Sequence, residues 1–272
     1  MTGESSNGEE LLRRLNTAVP HPARVYDVWL GGKDNYPADR AAAAAGLEAF
    51  PSTIQSVRAN RAFLARAVEY LAAEEGIRQF LDIGTGLPSA NNTHEVAQVT
   101  AEESRVVYVD NDPVVMLHAQ ALLTSTAPGV TDYIEADLRD PATILAEARR
   151  TLDFTQPVAI MLIAILHFIS DDEHPYEIVN SLMDAVPPGS FLVVSHLASD
   201  IFPEELAAFA RDFNSRSSEK VTLRNRDEVA RFFTGLNLVD PGVVEVSKWR
   251  PRSELEAAAA NAVWCGVARK TA

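Results

Sequence analysis

The sequence predicts an α/β fold with a mostly parallel sheet. From residue 78 onward, apolar strand-like runs alternate with helical segments, the pattern of βα units joined by right-handed crossovers. An apolar run over 78–83 leads into Gly-Thr-Gly at 84–86, and a second run over 105–109 ends in an acid, Asp110. A glycine turn after one buried strand and an acid after the next are typical of a site for an adenosine-containing ligand.

The elements after residue 77 follow from local patterns. Asp112 and Asp140 each precede a proline, as an N-cap residue does when proline takes the first helical position. Further helices are predicted over 171–185, 203–214 and 227–233. Three late apolar runs lie close together and predict an antiparallel addition at one edge. The strands are predicted over 78–83, 105–109, 130–135, 157–163 and 189–196, and the late runs over 236–239, 243–246 and 263–268.

The N-terminal region begins with a polar tail. Residues 1–10 are rich in Gly, Ser and Glu and are expected to be disordered, and a short helix is expected to begin within 11–15. The segment 20–37 mixes prolines, glycines and aromatics. It is expected to be ordered but irregular, and to fold over the ligand as a lid.

Two helices are predicted between this segment and the sheet. Residues 39–47 are rich in alanine, and 51–75 carry an apolar stripe at helical spacing that ends before Gly76. The chain is therefore expected to divide into a tail and helical cap over 1–76 and a sheet domain over 77–272.

Composition limits the partners. The chain has 272 residues, of which 47% are hydrophobic and 23% charged, enough for one large domain with a small cap. With 24 basic and 38 acidic residues the net charge is −14, so nucleic acid is not expected as a partner. The longest apolar run, 158–169, is too short to span a bilayer, so no membrane partner is expected.

Cys265 is the only cysteine, which is compatible with a reducing cytoplasm, and the polar N-terminus does not have the pattern of a signal peptide. A cytoplasmic location is therefore expected. The cysteine and the six scattered histidines show no spacing typical of a metal site, so no metal is expected.

The glycine pattern indicates which adenosine-containing cofactor is expected. A dinucleotide site would need a third glycine at position 89, where the sequence has Ser89, and Pro88 would disturb a helix start aimed at a pyrophosphate. S-adenosylmethionine carries no phosphate, so its site does not need that helix start. The pattern therefore favours S-adenosylmethionine.

Four segments carry a family resemblance. The chain resembles the Rossmann-like, S-adenosylmethionine-dependent methyltransferases and, more narrowly, an actinobacterial methyltransferase family of unassigned substrate. The segments are Arg-Val-Tyr-Asp-Val-Trp-Leu-Gly-Gly-Lys-Asp-Asn-Tyr over 24–36, Asp-Ile-Gly-Thr-Gly-Leu-Pro over 82–88 with Asn-Thr-His-Glu-Val-Ala over 92–97, Ala-Ile-Leu-His-Phe-Ile over 164–169 and Arg-Phe-Phe-Thr-Gly-Leu over 231–236.

The resemblance implies a class I methyltransferase fold with a seven-stranded, mostly parallel sheet, an antiparallel edge and an N-terminal helical cap. The glycine turn would pass the methionine part of S-adenosylmethionine, Asp110 would bind the ribose hydroxyls and Asp137 the adenine amino group. Residues at the end of the fourth strand would approach the sulfonium. The implied cofactor-binding residues are Tyr26, Asp82, Gly84, Thr85, Gly86, Asp110, Asn111, Asp137, Leu138, Ile163 and Ala164.

Two positions depart from the broad family pattern. Pro88 stands where a third glycine is usual, which bears on the path of the loop. The fourth strand ends in Ala164 rather than a polar residue, so no catalytic acid is expected there.

Each predicted acid also has a structural interpretation. Asp82 would bind either the loop backbone or, through a water, the amino group of the ligand. Asp110 would otherwise cap the turn at Asp112, and Asp137 would otherwise form an Asx-turn before Asp140.

The histidines and the N-terminal aromatics have two interpretations as well. His167 follows the fourth strand and is the candidate general base, or it packs beneath the next helix; His196 has the same two interpretations. Tyr26, Trp29 and Tyr36 would cover the cofactor or line a substrate pocket, or else form a hydrophobic plug.

The function expected from these patterns is methyl transfer from S-adenosylmethionine to a small, neutral or cationic acceptor. Two alternatives belong to other classes: a non-catalytic S-adenosylmethionine-binding module and a nicotinamide-dependent oxidoreductase, the latter disfavoured by Ser89. The sequence does not indicate the acceptor, the methylated atom or the oligomeric state.

Overall fold

The structure, a computed structural model, describes residues 17–217 and 219–271. The expectations for residues 1–10 and 11–15 lie outside the described residues. Within the described chain no helix is long and apolar enough to cross a membrane.

One mixed sheet organises the described chain. Its order is β3-β2-β1-β4-β5-β8-β6, with β7 also paired to β8. The first five strands are parallel, and β8 runs antiparallel to β5. The strands are β1 Gln79–Ile83, β2 Arg105–Asp110, β3 Val130–Glu135, β4 Ala159–Ile163, β5 Phe191–Leu197, β6 Asn237–Leu238, β7 Val244–Glu245 and β8 Val263–Arg269.

The sheet therefore has eight strands within the described residues, where the resemblance implied seven. The antiparallel edge was expected, but its outermost position is divided. Two-residue strands β6 and β7 pair with opposite ends of β8. Between them, Pro241 lacks an N–H for the ladder and Gly242 turns the chain at φ +83°.

The helices surround this sheet, and six of them have proline in their first turn, where the missing N–H has no helical partner to lose. The helices are α1 Pro22–Leu30, α2 Pro37–Ala49, α3 Thr53–Ala73, α4 Thr93–Thr100, α5 Pro113–Leu122, α6 Pro141–Ala148, α7 Pro175–Asp184, α8 Pro203–Arg216, α9 Arg226–Ala230 and α10 Glu254–Ala257.

Successive strand residues enter two different apolar clusters. On β1, Phe80 packs into a cluster with α3, α4 and α5, whereas Leu81 packs into one with α6, α7 and α9. On β4, Met161 and Leu162 divide in the same way. Alternate strand residues therefore pack on opposite faces of the sheet, and helices cover both faces. For this reason the strands are apolar at successive positions, as in other sheets covered by helices on both sides.

A third apolar cluster joins the N-terminal helices to α8. Trp29 of α1 packs against Phe209 of α8, with ring centroids 6.0 Å apart. Gly46 of α2 lies beside both rings, and a Cβ there would approach them to about 3 Å. The absence of a side chain at Gly46 therefore allows α2 to approach α1 and α8 closely.

The prediction of an irregular segment over 20–37 is wrong for its first half, which forms α1. His21 is the extended N-cap residue, Pro22 takes the first turn and Gly31 ends the helix at φ +81°. The apparent breakers mark the two ends of a helix, positions where proline and glycine are favoured.

The helix predicted over 171–185 is divided. Asp171–Glu173 form a 3₁₀ turn, His174 adopts φ +55° and α7 starts at Pro175. Proline disfavours helical geometry in the residue before it, so the two helical pieces are separated at His174.

Candidate functional site

A large cavity opens at the carboxyl ends of the parallel strands. It lies where the strand order reverses, because β1 leads outward to β2 and β3 while β4 leads to β5. Ligands of open α/β sheets bind at such a switch point. All twelve predicted site residues line this cavity, together with residues of α1, α3 and α8. The structure thus brings them together, while the role of each stays a prediction.

The glycine turn after β1 is shaped by two backbone requirements. Gly84 and Gly86 have φ values of +78° and +67°, which disfavour any side chain. A Cβ on Gly84 would approach Ile165 to 2.7 Å, whereas a Cβ on Gly86 would meet nothing within 4 Å. Thr85 stabilises the turn because its hydroxyl donates to Asp82 O at 3.0 Å. Gly86 therefore leaves the main chain open toward the cavity.

Asp110 connects the two strands of the predicted nucleotide site. Its Oδ2 accepts from the N–H of Gly86 at 2.9 Å and its Oδ1 from the N–H of Asp112 at 3.0 Å. The hydrogen bond from Asp112 is the turn-capping interaction that was the alternative interpretation of Asp110. A carboxylate offers about four acceptor positions, so Asp110 can stabilise the turn and still accept from a ligand hydroxyl. Burial raises the pKa of Asp110, against the effect of these two N–H groups.

Asp82 lies at the end of β1 and is 5% exposed. Its Oδ2 accepts from the Thr93 hydroxyl at 2.6 Å, so its side chain binds α4 rather than the loop backbone. Burial raises the pKa of Asp82 to about 6, although the bond from Thr93 opposes the shift.

This raised pKa predicts how stability depends on pH. The folded protein retains a proton on Asp82 between its ordinary pKa of 3.8 and about 6, where the unfolded chain has lost it. The stabilising contribution is fully present below pH 3.8 and is lost as pH rises through 6. We expect the unfolding free energy of the wild type, relative to Asp82→Asn, to fall by about 2–3 kcal/mol from pH 4 to pH 7.

Urea denaturation of both proteins at the two pH values measures this difference. Asp82→Asn serves as the control because it keeps the size of the side chain and an acceptor for Thr93 without titrating. A difference between the proteins that is the same at pH 4 and pH 7 would contradict a raised pKa.

The third predicted acid, Asp137, follows β3. Its Oδ1 accepts from the N–H of Arg139 at 2.8 Å, which forms the Asx-turn considered as its alternative, and its Oδ2 accepts from Asn111 Nδ2 at 3.2 Å. Asn111 and Leu138 line the cavity beside it. Asp137 therefore has a structural role and also lies at the predicted adenine end of the cavity.

The loop over 87–92 accommodates Pro88 outside any helix. No helix starts at that proline: α4 begins at Thr93, and the chain before it is irregular. Arg61 of α3 donates from Nη2 to the carbonyls of Ala90 and Asn91, both at 3.1 Å. A helix N-terminus is thus displaced from the glycine turn, consistent with a ligand that has no pyrophosphate.

Helices of the N-terminal region cover the cavity. The Tyr26 hydroxyl donates to Val57 O at 3.3 Å and accepts from Asn60 Nδ2 at 3.0 Å, and burial raises the pKa of Tyr26. Asp27 Oδ2 accepts from Asn35 Nδ2 at 2.8 Å. A Cβ on Gly32 would collide with the Asp27 carboxylate. Gly32, the second glycine of the 31–32 pair, must therefore lack a side chain for Asp27 to hold this position.

The N-terminal segment also contacts the chain that follows β2. His21 Nδ1 lies 3.0 Å from Asp112 Oδ2. The backbone N–H of His21 donates to Asp39 Oδ1 at 3.0 Å. Asp112 caps α5 by accepting from Val114 N at 2.8 Å and is adjacent to Asn111. Of this segment, His21 and α1 residues up to Leu30 line the cavity.

The turn after β4 carries the candidate base. Ile163 ends the strand, and Ala164 adopts φ +56°, an uncommon conformation for alanine, while its N–H donates to Ser195 Oγ at 2.9 Å. His167 is 5% exposed, lines the cavity, and its Nδ1 is buried with no hydrogen-bond partner among the described residues. Burial lowers the pKa of His167 well below 6.5, and His196 and Arg224 lower it further, so the ring is neutral at pH 7.

His196, in contrast, is a packed histidine. Its Nε2 accepts from Arg224 Nη1 at 2.8 Å and its Nδ1 donates to Leu197 O at 2.8 Å, so both nitrogens are engaged. Burial, followed by the charge of Arg224, lowers the pKa of His196 to about 3. Arg224 also donates to the carbonyls of Leu166 and Ile169, on either side of His167. It therefore fixes the turn that carries the candidate base.

Sequence reasoning missed the residues that α3 and α8 contribute to the cavity. Asn60 is 2% exposed, and its Oδ1 has no hydrogen-bond partner among the described residues. A signal was present, because Asn60 interrupts the apolar stripe between Val57 and Leu64. Phe209 and Phe213 of α8 had no such signal, since their spacing is that of any amphipathic helix.

The strand order, the cavity at the switch point and the acid that ends β2 are those of a Rossmann-like fold that binds a nucleotide-type ligand. The chain belongs to the S-adenosyl methyltransferase family, whose model matches residues 8–271. It is an S-adenosylmethionine-dependent methyltransferase, and S-adenosylmethionine is its cofactor. Membership of this family favours neither of the two alternative functions, a nicotinamide-dependent oxidoreductase and a non-catalytic S-adenosylmethionine-binding module.

Solved structures agree with this assignment. A DUF574 family protein from Streptomyces avermitilis is 47% identical, with a TM-score of 0.91 over 94% of this chain and 99% of its own. A second structure, from Thermobifida fusca, is 40% identical, with a TM-score of 0.87 over 95% and 97%. A plantazolicin methyltransferase is 12% identical with a TM-score of 0.53, over 97% of this chain and 99% of its own, and shares the fold alone. No curated protein matches this chain.

Proposed function

We propose that this methyltransferase modifies a small molecule held inside the cavity, with the predicted residues binding the cofactor and His167 accepting a proton. The observation that carries the proposal is the continuity of the cavity. A single space is lined both by Asp110 at the strand ends and by Phe209 of the covering helix α8. Cofactor and acceptor can therefore occupy adjoining parts of one site.

The residues present fit S-adenosylmethionine. The open main chain at Gly86 suits close approach of a ligand, and Asp110 retains acceptor positions for ribose hydroxyls. The unpartnered Oδ1 of Asn60 and the buried carboxyl of Asp82 are acceptors suited to the ammonium of its methionine part. Asp137 and Leu138 would receive the adenine.

The chemistry needs little from the protein beyond orientation. When bound, S-adenosylmethionine supplies a methyl carbon that bonds to the acceptor atom as the carbon–sulfur bond breaks, with its electron pair remaining on sulfur. Orientation of two reactants can contribute about 7–11 kcal/mol. His167, neutral and with an unpartnered Nδ1, would accept the proton of an acceptor hydroxyl or amine.

The covering helices support a small acceptor. Trp29 and Phe50, which lie before the sheet in sequence, also line the cavity. We propose that residues 1–76 act as tail and cap and residues 77–272 as the catalytic domain, with α3 anchoring the cap because Phe63 and Leu71 share an apolar cluster with β1. A cap over the site restricts access by a polymer.

Product formation tests the size of the acceptor. Protein and labelled S-adenosylmethionine are incubated with free phenols and amines and, separately, with unfolded proteins and nucleic acids that carry the same groups. We expect S-adenosylhomocysteine to accumulate with free compounds only. Accumulation with the polymers alone would contradict the proposal.

A further inference from the structure

A row of five rings lines the cavity between the cap and the strand edge. Trp29 lies 6.0 Å from Phe209, Phe209 lies 5.8 Å from Phe213, and Phe213 lies 6.3 Å from Phe168, between centroids. Phe168 lies 4.4 Å from His167. We refer to these five residues as the aromatic wall. It comes from α1, α8 and the turn after β4, and each member lines the cavity.

The surroundings of the aromatic wall are apolar. Phe50, Val57, Leu206 and Val221 line the same part of the cavity and are buried. A buried charge without a partner is strongly disfavoured, so this part of the cavity suits an uncharged ligand.

The charged residues that line the cavity are not members of the aromatic wall. Arg139 and Glu219 lie 3.3 Å apart, Arg61 donates to the loop after the glycine turn, and Asp27 accepts from Asn35 and from the N–H of Asp34. The three acids Asp82, Asp110 and Asp137 lie at the strand ends. A charged acceptor would therefore find no counter-ion among the five rings of the aromatic wall, since the ring of His167 is neutral at pH 7.

One polar group stands at the strand end of the aromatic wall. Buried polar atoms in proteins usually have a hydrogen-bond partner, yet Nδ1 of His167 has none among the described residues. The ring of His167 lines the cavity, so a hydroxyl group on a ligand beside it is a candidate partner for the imidazole. Since the other four members of the wall offer ring surfaces, the rest of the ligand is expected to be flat and aromatic.

We propose that the methyl acceptor is an uncharged, planar aromatic compound with one hydroxyl group, whose ring lies against the aromatic wall and whose hydroxyl lies at His167. The proposal rests on the proposed function, because it names the acceptor class of the same site. It narrows the neutral or cationic acceptor expected from the sequence to a neutral one.

Calorimetry with 2-naphthol as the probe, at saturating S-adenosylhomocysteine, tests this recognition without turnover. Two matched compounds separate its parts: decahydro-2-naphthol has the same skeleton without aromatic rings, and naphthalene-2-sulfonate has the rings with a permanent charge. We expect 2-naphthol to bind at least tenfold more tightly than either. Equal binding of the saturated alcohol, or tighter binding of the sulfonate, would overturn the proposal.

A substitution locates the bound ring. Phe213→Leu keeps an apolar side chain but removes a ring, and we expect it to weaken 2-naphthol binding about threefold to tenfold, the scale of one aromatic pair. Phe154→Leu is the control, because Phe154 packs beside Arg149 and does not line the cavity. Thermal unfolding of both variants checks that they fold.

The two proposals fail in different ways. If S-adenosylhomocysteine does not bind the wild type, the proposed function is wrong. If S-adenosylhomocysteine binds the wild type, Phe213→Leu and Phe154→Leu equally, and Phe213→Leu retains wild-type affinity for 2-naphthol, the aromatic wall is not the acceptor site. Should Phe213→Leu fail to fold, Phe209→Leu tests the neighbouring ring under the same criterion.

Discussion

Replacing Asp110 by alanine is expected to weaken S-adenosylmethionine binding by about 1.5–3 kcal/mol, the scale of hydrogen bonds to a charged group. This corresponds to a roughly 10-fold to 150-fold higher Kd. The loss has two origins: the ribose hydroxyls lose their acceptor, and the N–H of Gly86 loses the contact that orients the glycine turn. Calorimetry of the purified variant measures the change.

Asp140→Ala provides a matched control for this experiment. Asp140 is also an acid at the start of a helix, where it accepts from Thr143, but it lies outside the cavity lining. Its loss should destabilise the protein, as for other N-cap residues, and leave the Kd unchanged. Equal affinity of the wild type and Asp110→Ala would show that Asp110 does not bind the ribose.

His167→Ala is expected to lower turnover by about 10²–10⁴ if the ring acts as a general base, with little change in the Kd of S-adenosylmethionine. The reason is position: His167 follows β4, lines the cavity and has an unpartnered nitrogen. The measurement is S-adenosylhomocysteine formed with an acceptor that the wild type methylates.

The pH profile gives a second expectation for His167. Burial holds the pKa of His167 well below 6.5, so wild-type kcat should show no loss from protonation of this ring between pH 6.5 and 8. His174→Ala is the control, because His174 is exposed and does not line the cavity. Turnover that His167→Ala leaves unchanged would leave orientation as the mechanism.

The sheet and the glycine turn could be predicted because their signals are local. Strands covered on both faces are continuous apolar runs, and a main chain at positive φ, as at Gly84 and Gly86, favours glycine wherever the turn lies in the fold. The helix start at Asp112 could be predicted for the same reason, because the N-cap residue and the proline after it are neighbours in sequence. The site at the strand ends followed from these signals together with the general rule for parallel sheets.

The acceptor side of the cavity could not be predicted, because its residues are distant in sequence. Trp29 and Phe209 are 180 positions apart, and each has the spacing of an ordinary core residue. Likewise, the engagement of both nitrogens of His196 depends on Arg224, which reaches it from the segment after α8. Only the folded chain distinguishes His196 from His167.

The packing of α2 against α8 has a consequence for synthesis on the ribosome. About 150 residues separate the end of α2 from the start of α8. At about 5–20 residues per second, the apolar faces of α1 and α2 emerge roughly 8–30 s before the helix that covers them. During that interval Trp29 and the surface around Gly46 have no α8 to pack against. The part of the cavity that α8 lines is thus among the last parts of the protein to form.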